Sequence, residues 1–133
     1  MTRFSIPGFG FILDYPDGWE YELKGSKVSF FDPASSGGAL TISSMRPPPE
    51  VVPDGKELLR QFFRVQGEEW EGTNRPGQRI SYCETNNGAV YWRFWAVTRP
   101  TRAVVVTYNC RPTEIGLQGT TTDEIVRSIE VLP

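Results

Sequence analysis

The chain has 133 residues, no histidine and a formal net charge of −2. That length makes one domain, residues 1–133, with a hydrophobic core of its own. The missing histidine removes the commonest general base and metal ligand, and it excludes Ser-His and Cys-His nucleophile pairs within the chain. The small net charge offers no electrostatic case for nucleic acid or for an anionic membrane.

Phe9, Phe11, Leu13 and Tyr15 alternate with Gly10, Ile12 and Asp14, which predicts a first strand. Tyr15-Pro16-Asp17-Gly18 is a turn, because proline pre-sets φ and glycine follows. Trp19, Tyr21 and Leu23 alternate with Glu20, Glu22 and Lys24, a strand with one wet face. A type II′ turn at Gly25-Ser26 sets Leu23 opposite Val28 and Tyr21 opposite Phe30. Residues 32–38 form a loop, and residues 39–45 form another strand with Leu40 and Ile42 on one face. Pro47-Pro48-Pro49 cannot join a sheet ladder and reads as a stiff connector.

Asp54 and Glu57 have capping-box spacing, with Glu57 expected to reach back to the N-cap. Leu58, Leu59, Phe62 and Phe63 then make one apolar stripe of a helix, with Arg60, Gln61 and Arg64 outward and Gly67 as its stop. Residues 68–77 are a polar connector holding one large exception, Trp70. Glu68, Glu69 and Glu71 read as a solvated run, not a metal site, since no second cluster has ligand spacing.

Residues 78–85, 89–98 and 102–110 are rich in Tyr, Trp, Phe, Val and Ile, and predict a three-stranded antiparallel meander at the middle of a sheet. A two-residue type I′ turn at Asn87-Gly88 sets Thr85 opposite Val90, Cys83 opposite Trp92, Tyr82 opposite Arg93 and Ile80 opposite Trp95. A two-residue loop at Pro100-Thr101 sets Val97 opposite Val104, Trp95 opposite Val106 and Arg93 opposite Tyr108. One face then carries Ser81, Cys83, Val90, Trp92, Phe94, Ala96, Val105 and Thr107. The other carries Ile80, Trp95, Val97, Val104 and Val106, and turns polar-aromatic at Tyr82, Glu84, Tyr91, Arg93 and Tyr108. Neither face is a clean solvent face, so both need cover.

Thr120-Thr121-Thr122 is expected to precede a second short helix, capped by Thr121 with Glu124 and buried through Ile125, Val126 and Ile129. Cys83 and Cys110 fall on the first and third strands of the meander, too far apart for a disulfide, and two buried thiols suit a reducing compartment. The first residues lack a signal-peptide run, and no stretch approaches the roughly 18 apolar residues of a membrane span, so a cytoplasmic protein is expected.

Strand runs grouped apart from helices define an α+β fold: a central antiparallel sheet of about six or seven strands, flanked by helices on both faces. The layout resembles the PsbP-like superfamily, which includes Mog-like and uncharacterised bacterial members. The resemblance rests on residues 10–19 (strand, Tyr-Pro, Gly-Trp), the strand at residues 38–43, and the closing run from Thr122 to Ile129. It implies a non-catalytic accessory or binding domain. A related bacterial group implies an alternative, an adaptor chaperone of type VI secretion effectors.

Among candidate sites the polar-aromatic set leads. Arg93, flanked by Tyr82, Tyr91 and Tyr108, has the planar fork to hold a carboxylate or phosphate. The competing structural role pairs Arg93 with Glu84 and stacks it on tyrosine. Trp70 is the candidate exposed anchor for a partner. No catalytic, cofactor or metal residues are assigned. The expected partner is a protein, with a homodimer as one arrangement because an open sheet has edges to protect. A small-ligand site or a carboxylate-based enzyme is the rival, and it would need a deep cleft.

Overall fold

In the computed structural model, residues 1–64 and 75–133 are described in full, together with the backbone of Trp70–Gly72. Among the described residues ten strands form two sheets. In the smaller sheet, β1 (Thr2–Phe4) and β10 (Glu130–Val131) flank β2 (Phe11–Tyr15), both antiparallel to it. The larger sheet runs β3 (Glu20–Lys24), β4 (Lys27–Phe31), β5 (Leu40–Met45), β9 (Arg102–Cys110), β8 (Tyr91–Arg99), β7 (Arg79–Asn86), β6 (Trp70–Gly72). Every pairing in it is antiparallel. The meander thus lies inside the sheet. The three-residue β1 and two-residue β10 carry too little pattern to read from sequence.

Two hairpins keep their expected registers. Leu23 faces Val28 and Tyr21 faces Phe30 around Gly25, whose φ of +61° suits the turn. Val97 faces Val104, Trp95 faces Val106 and Arg93 faces Tyr108. The first meander hairpin differs by two positions: Glu84, not Tyr82, faces Arg93, and Tyr82 faces Trp95. The cause is local. The Asn87 Oδ1 accepts from the N–H of Ala89 and Val90 at 2.9 and 2.8 Å, which builds a four-residue loop, and Asn87 itself keeps negative φ. A slip of two leaves each side chain on its expected face.

Those faces are two separate packing layers. Ile80, Trp95, Val97, Val104 and Val106 join Leu40, Ile42, Phe11 and Leu13 in the larger core, along with Ile125, Val126 and Ile129. Cys83, Phe94, Ala96 and Val105 form the smaller cluster with Leu59, Leu58 and Phe63 of α1 (Gly55–Phe63). Asp54 caps α1, its Oδ1 accepting from Lys56 and Glu57 N–H at 3.0 and 3.4 Å. The reciprocal half of the box is absent, because the Glu57 carboxylate is taken by the side chains of Arg60 and Gln61. The helix stops at Phe63 with Arg64 in the left-handed region. The expected stop at Gly67 lies outside the described residues.

The second helix is longer than expected. A 3₁₀ turn at Pro112–Glu114 leads into α2 (Ile115–Arg127), so the three threonines lie inside the helix and Thr121 is not its cap. Gln118, Thr122 and Ile125 are buried at helical spacing, and contacts with the sheet hold what glycine and threonine propensity would not. Cys83 and Cys110 are buried and are not joined in a disulfide.

Candidate functional site

The site begins with alternation on β8. Arg93 shares the face of Trp95 and Val97, yet it is a charged residue inside the sheet, and its guanidinium must find partners there. It finds them on α2. Nη1 donates to the Gly119 carbonyl at 3.1 Å and to Thr122 Oγ1 at 2.7 Å, and Nη2 donates to Asp123 Oδ1 at 2.6 Å. Nε donates to the Tyr82 hydroxyl at 2.9 Å. The guanidinium carbon also sits 4.6 Å from the Trp95 ring centroid and 5.1 Å from that of Tyr82.

A second chain of bonds starts at Tyr82. Its hydroxyl donates to Glu84 Oε2 at 2.6 Å, and the Tyr91 hydroxyl donates to the same oxygen at 2.5 Å. Arg93, Tyr82, Glu84 and Tyr91 are therefore one connected network. The expected Arg93–Glu84 ion pair is replaced by Arg93–Asp123, with Tyr82 standing between the two residues that face each other across the strands. Tyr108, opposite Arg93 in register, turns elsewhere: its hydroxyl donates to Gln118 Oε1 at 2.9 Å and accepts from Gly38 N–H at 3.4 Å. The backbone of Trp70 pairs with Tyr82, while its side chain lies outside the described residues, as does the Glu68, Glu69 and Glu71 side-chain run.

The electrostatics follow from this wiring. Burial works against the charged form of Arg93, but the Tyr82 hydroxyl and the Asp123 carboxylate outweigh it and hold its pKa above the ordinary value. Burial, then the bond to Glu84, pushes the Tyr82 hydroxyl well up and raises that of Tyr91. Donation from Tyr82 and Tyr91 holds the Glu84 carboxyl below its usual range. Burial pushes Tyr108 up to about 12. Each shift moves away from neutrality, whereas proton transfer at neutral pH works best with a group poised near it.

A cleft of about 300 Å³ opens beside the network, lined by Ile80, Tyr82, Arg93, Trp95, Asp123, Val126 and Arg127. Four of the five guanidinium N–H groups of Arg93 are already committed to protein acceptors, so a bidentate ligand there would have to displace at least one of them. The sequence reading missed Gly119, Thr122 and Asp123. The signal available was the spacing of Gln118, Thr122, Ile125 and Ile129, which continues a helical stripe backwards through polar residues.

A second concavity, about 310 Å³, is apolar. Met45, Pro47, Val51 and Val52 form one wall and Leu58 and Phe62 of α1 the other, with Asp54 and Glu57 as its charged members. Val52 and Phe62 are 71% and 53% exposed there.

The fold is PsbP-like. A solution structure of cyanobacterial PsbP (CyanoP) from Synechocystis sp. PCC 6803 superposes with a TM-score of 0.71 at 15% identity, covering 98% of this chain and 91% of that one. A crystal structure from Bacteroides thetaiotaomicron VPI-5482 superposes with a TM-score of 0.73 at 18% identity, covering 98% of this chain; this chain spans about half, 48%, of that one. No protein-family model matches the chain. No curated protein matches it either. At these identities the likeness is one of fold. Among the described residues no helix is long and apolar enough to cross a membrane.

Proposed function

We infer that this is a non-enzymatic accessory domain that binds a protein partner through the apolar groove between the Met45–Val52 wall and α1. The observation that carries this reading is the exposure of Val51, Val52 and Phe62 around one concavity. Large apolar side chains clustered at a groove are what a partner covers. The charged groups lining it, Asp54 and Glu57, already serve the α1 cap and the side chains of Arg60 and Gln61, so the fitting partner is an apolar segment. The PsbP-like fold supports an accessory role by analogy. The committed donors of Arg93 and the shifted pKa values around it weigh against a carboxylate-based enzyme or a ligand clamp at the polar-aromatic network. The two helices are read as covering opposite faces of the larger sheet, on the alternation between the Phe94 and Trp95 layers. The buried thiols of Cys83 and Cys110 suit a reducing compartment such as the cytoplasm.

The test compares crosslinked partners captured by the native chain, by Val52→Asp and Phe62→Asp, and by Leu117→Asp, which alters an exposed apolar residue of α2. Loss of one partner in the two groove variants and its retention in Leu117→Asp is the expected result. Equal capture by all four proteins overturns the reading. The adaptor-chaperone alternative uses the same kind of groove and differs in needing a dimer, which light scattering on the purified chain decides.

A further inference from the structure

One end of the larger sheet holds a row of three arginines. Arg99, the last residue of β8, faces Arg102, the first of β9. On the other side of β9, Met45 faces Ala103, and the next step of that register brings Arg46 opposite Arg102. Opposed residues on neighbouring antiparallel strands have Cα atoms about 5 Å apart. All three side chains fall on the face of Ile42, Val104 and Val97, by alternation along their strands. Like charges directly opposed across a sheet are destabilising. Among the described residues none of the three guanidinium groups has an ion-pair or hydrogen-bond partner, and the Nε–H groups of Arg99 and Arg102 are shielded from solvent without an acceptor. The charge of Arg46 is felt at Arg102, whose pKa lies below the ordinary value, first through burial and then through that neighbour.

The fold also makes room for this row. Arg102 lies across the backbone of Gly10, where a β-carbon would fall 1.7 Å from its Nη1 and where φ is +83°. A side chain at position 10 would expel the arginine.

We propose that the Arg46–Arg102–Arg99 row is a binding site for a phosphate-type oxyanion, free or as a phosphate monoester. A dianion beside the row turns three mutual repulsions into three attractions. Phosphate matches guanidinium geometry better than carboxylate does when several forks converge, and its second charge suits three cations better than one.

The test titrates the intact chain with inorganic phosphate and, separately, with phenyl phosphate, against sodium chloride at matched ionic strength. Amide shifts of Gly10 and Ala103 and the melting temperature are followed. Saturable binding with a Kd on the order of 1 mM and a phosphate-dependent rise in melting temperature are expected. Response to inorganic phosphate identifies a free-anion site; response to phenyl phosphate alone identifies a site for the ester. Arg102→Gln and Arg99→Gln each weaken the response at least about tenfold, and without phosphate they melt no lower than the native chain, because a repulsion has gone. Arg46→Gln, at an exposed position, weakens binding with the fold intact, so the test survives if the other variants fold poorly. Shifts no larger than those in chloride, or an undiminished phosphate response in Arg46→Gln and Arg102→Gln, overturn the proposal.

Discussion

Arg93 of β8 and Asp123 of α2 meet at 2.6 Å across 30 positions of sequence, and this contact fastens the helix to the sheet. The arginine side chain is 10% exposed and the aspartate 40%. Removing the arginine also takes a donor from Tyr82, Thr122 and the Gly119 carbonyl, though Tyr82 keeps Glu84 and the carbonyl keeps Thr122 Oγ1. Arg93→Ala should therefore cost about 3 kcal/mol in urea denaturation, the low end for breaking a buried pair, because Asp123 is screened by solvent. Asp123→Asn should cost only about 1 kcal/mol, since the amide oxygen still accepts. Equal losses in the two variants would contradict this division.

The two ends of the pH range report on different tyrosine contacts. The folded Glu84 carboxyl titrates below its unfolded value of about 4.3, held down by the hydroxyls of Tyr82 and Tyr91. Its contribution is present above that unfolded value and disappears as pH falls through the lower folded one. Glu84→Gln should flatten the acid limb of stability against pH; an unchanged limb would show that the two hydroxyls do not favour the carboxylate.

Tyr108 has the opposite sign. Its folded pKa, pushed up to about 12, lies above the unfolded value of about 10. The folded state keeps its advantage below the unfolded value and loses it as pH climbs towards the folded one. Tyr108→Phe should be less stable at neutral pH, where Gln118 loses a donor, yet should show a shallower alkaline decline. Chemical denaturation between neutral pH and about pH 11 measures both.

Two glycine substitutions should move stability in opposite directions. A β-carbon at Gly116, inside α2, meets nothing within 4 Å, so Gly116→Ala should stabilise by about 0.5–1 kcal/mol through helix propensity. At Gly38 the same atom falls 1.6 Å from the backbone oxygen of Asn109, which cannot move aside without breaking the entry to β5. Gly38→Ala should destabilise by about 3 kcal/mol or more. Thermal melts of the pair decide it.

The Asp54 cap offers a smaller test. Asp54→Ala leaves the Lys56 and Glu57 amides without their acceptor and should cost about 1 kcal/mol, with Asp54→Ser recovering most of it.

What was legible in the sequence was whatever rested on short-range rules. The Gly25-Ser26 and Pro100-Thr101 hairpins were readable because two-residue loops leave one register that matches apolar with apolar. The Asn87-Gly88 hairpin misled because an asparagine side chain can replace backbone strain with its own hydrogen bonds, adding two residues to the loop. The faces survived that error because alternation has period two, so the network of Tyr82, Glu84, Tyr91 and Arg93 was visible as a patch. Its wiring was not. Gly119, Thr122 and Asp123 sit in a helix whose early turns have poor propensity, and contacts with distant strands, the buried Arg93 among them, hold them helical. The arginine row was equally hidden, since it appears only when three registers are laid side by side.

β2 is paired on one side by residues 2–4 and on the other by residues 130–131. During synthesis, that strand must wait with one border unsatisfied until nearly the whole domain has left the ribosome. The closing ladder is short, so it should form last and open first, and amide exchange along Phe11 and Ile12 would expose that rhythm. A chain lacking the final strand would keep its large sheet yet offer a sticky rim to its neighbours.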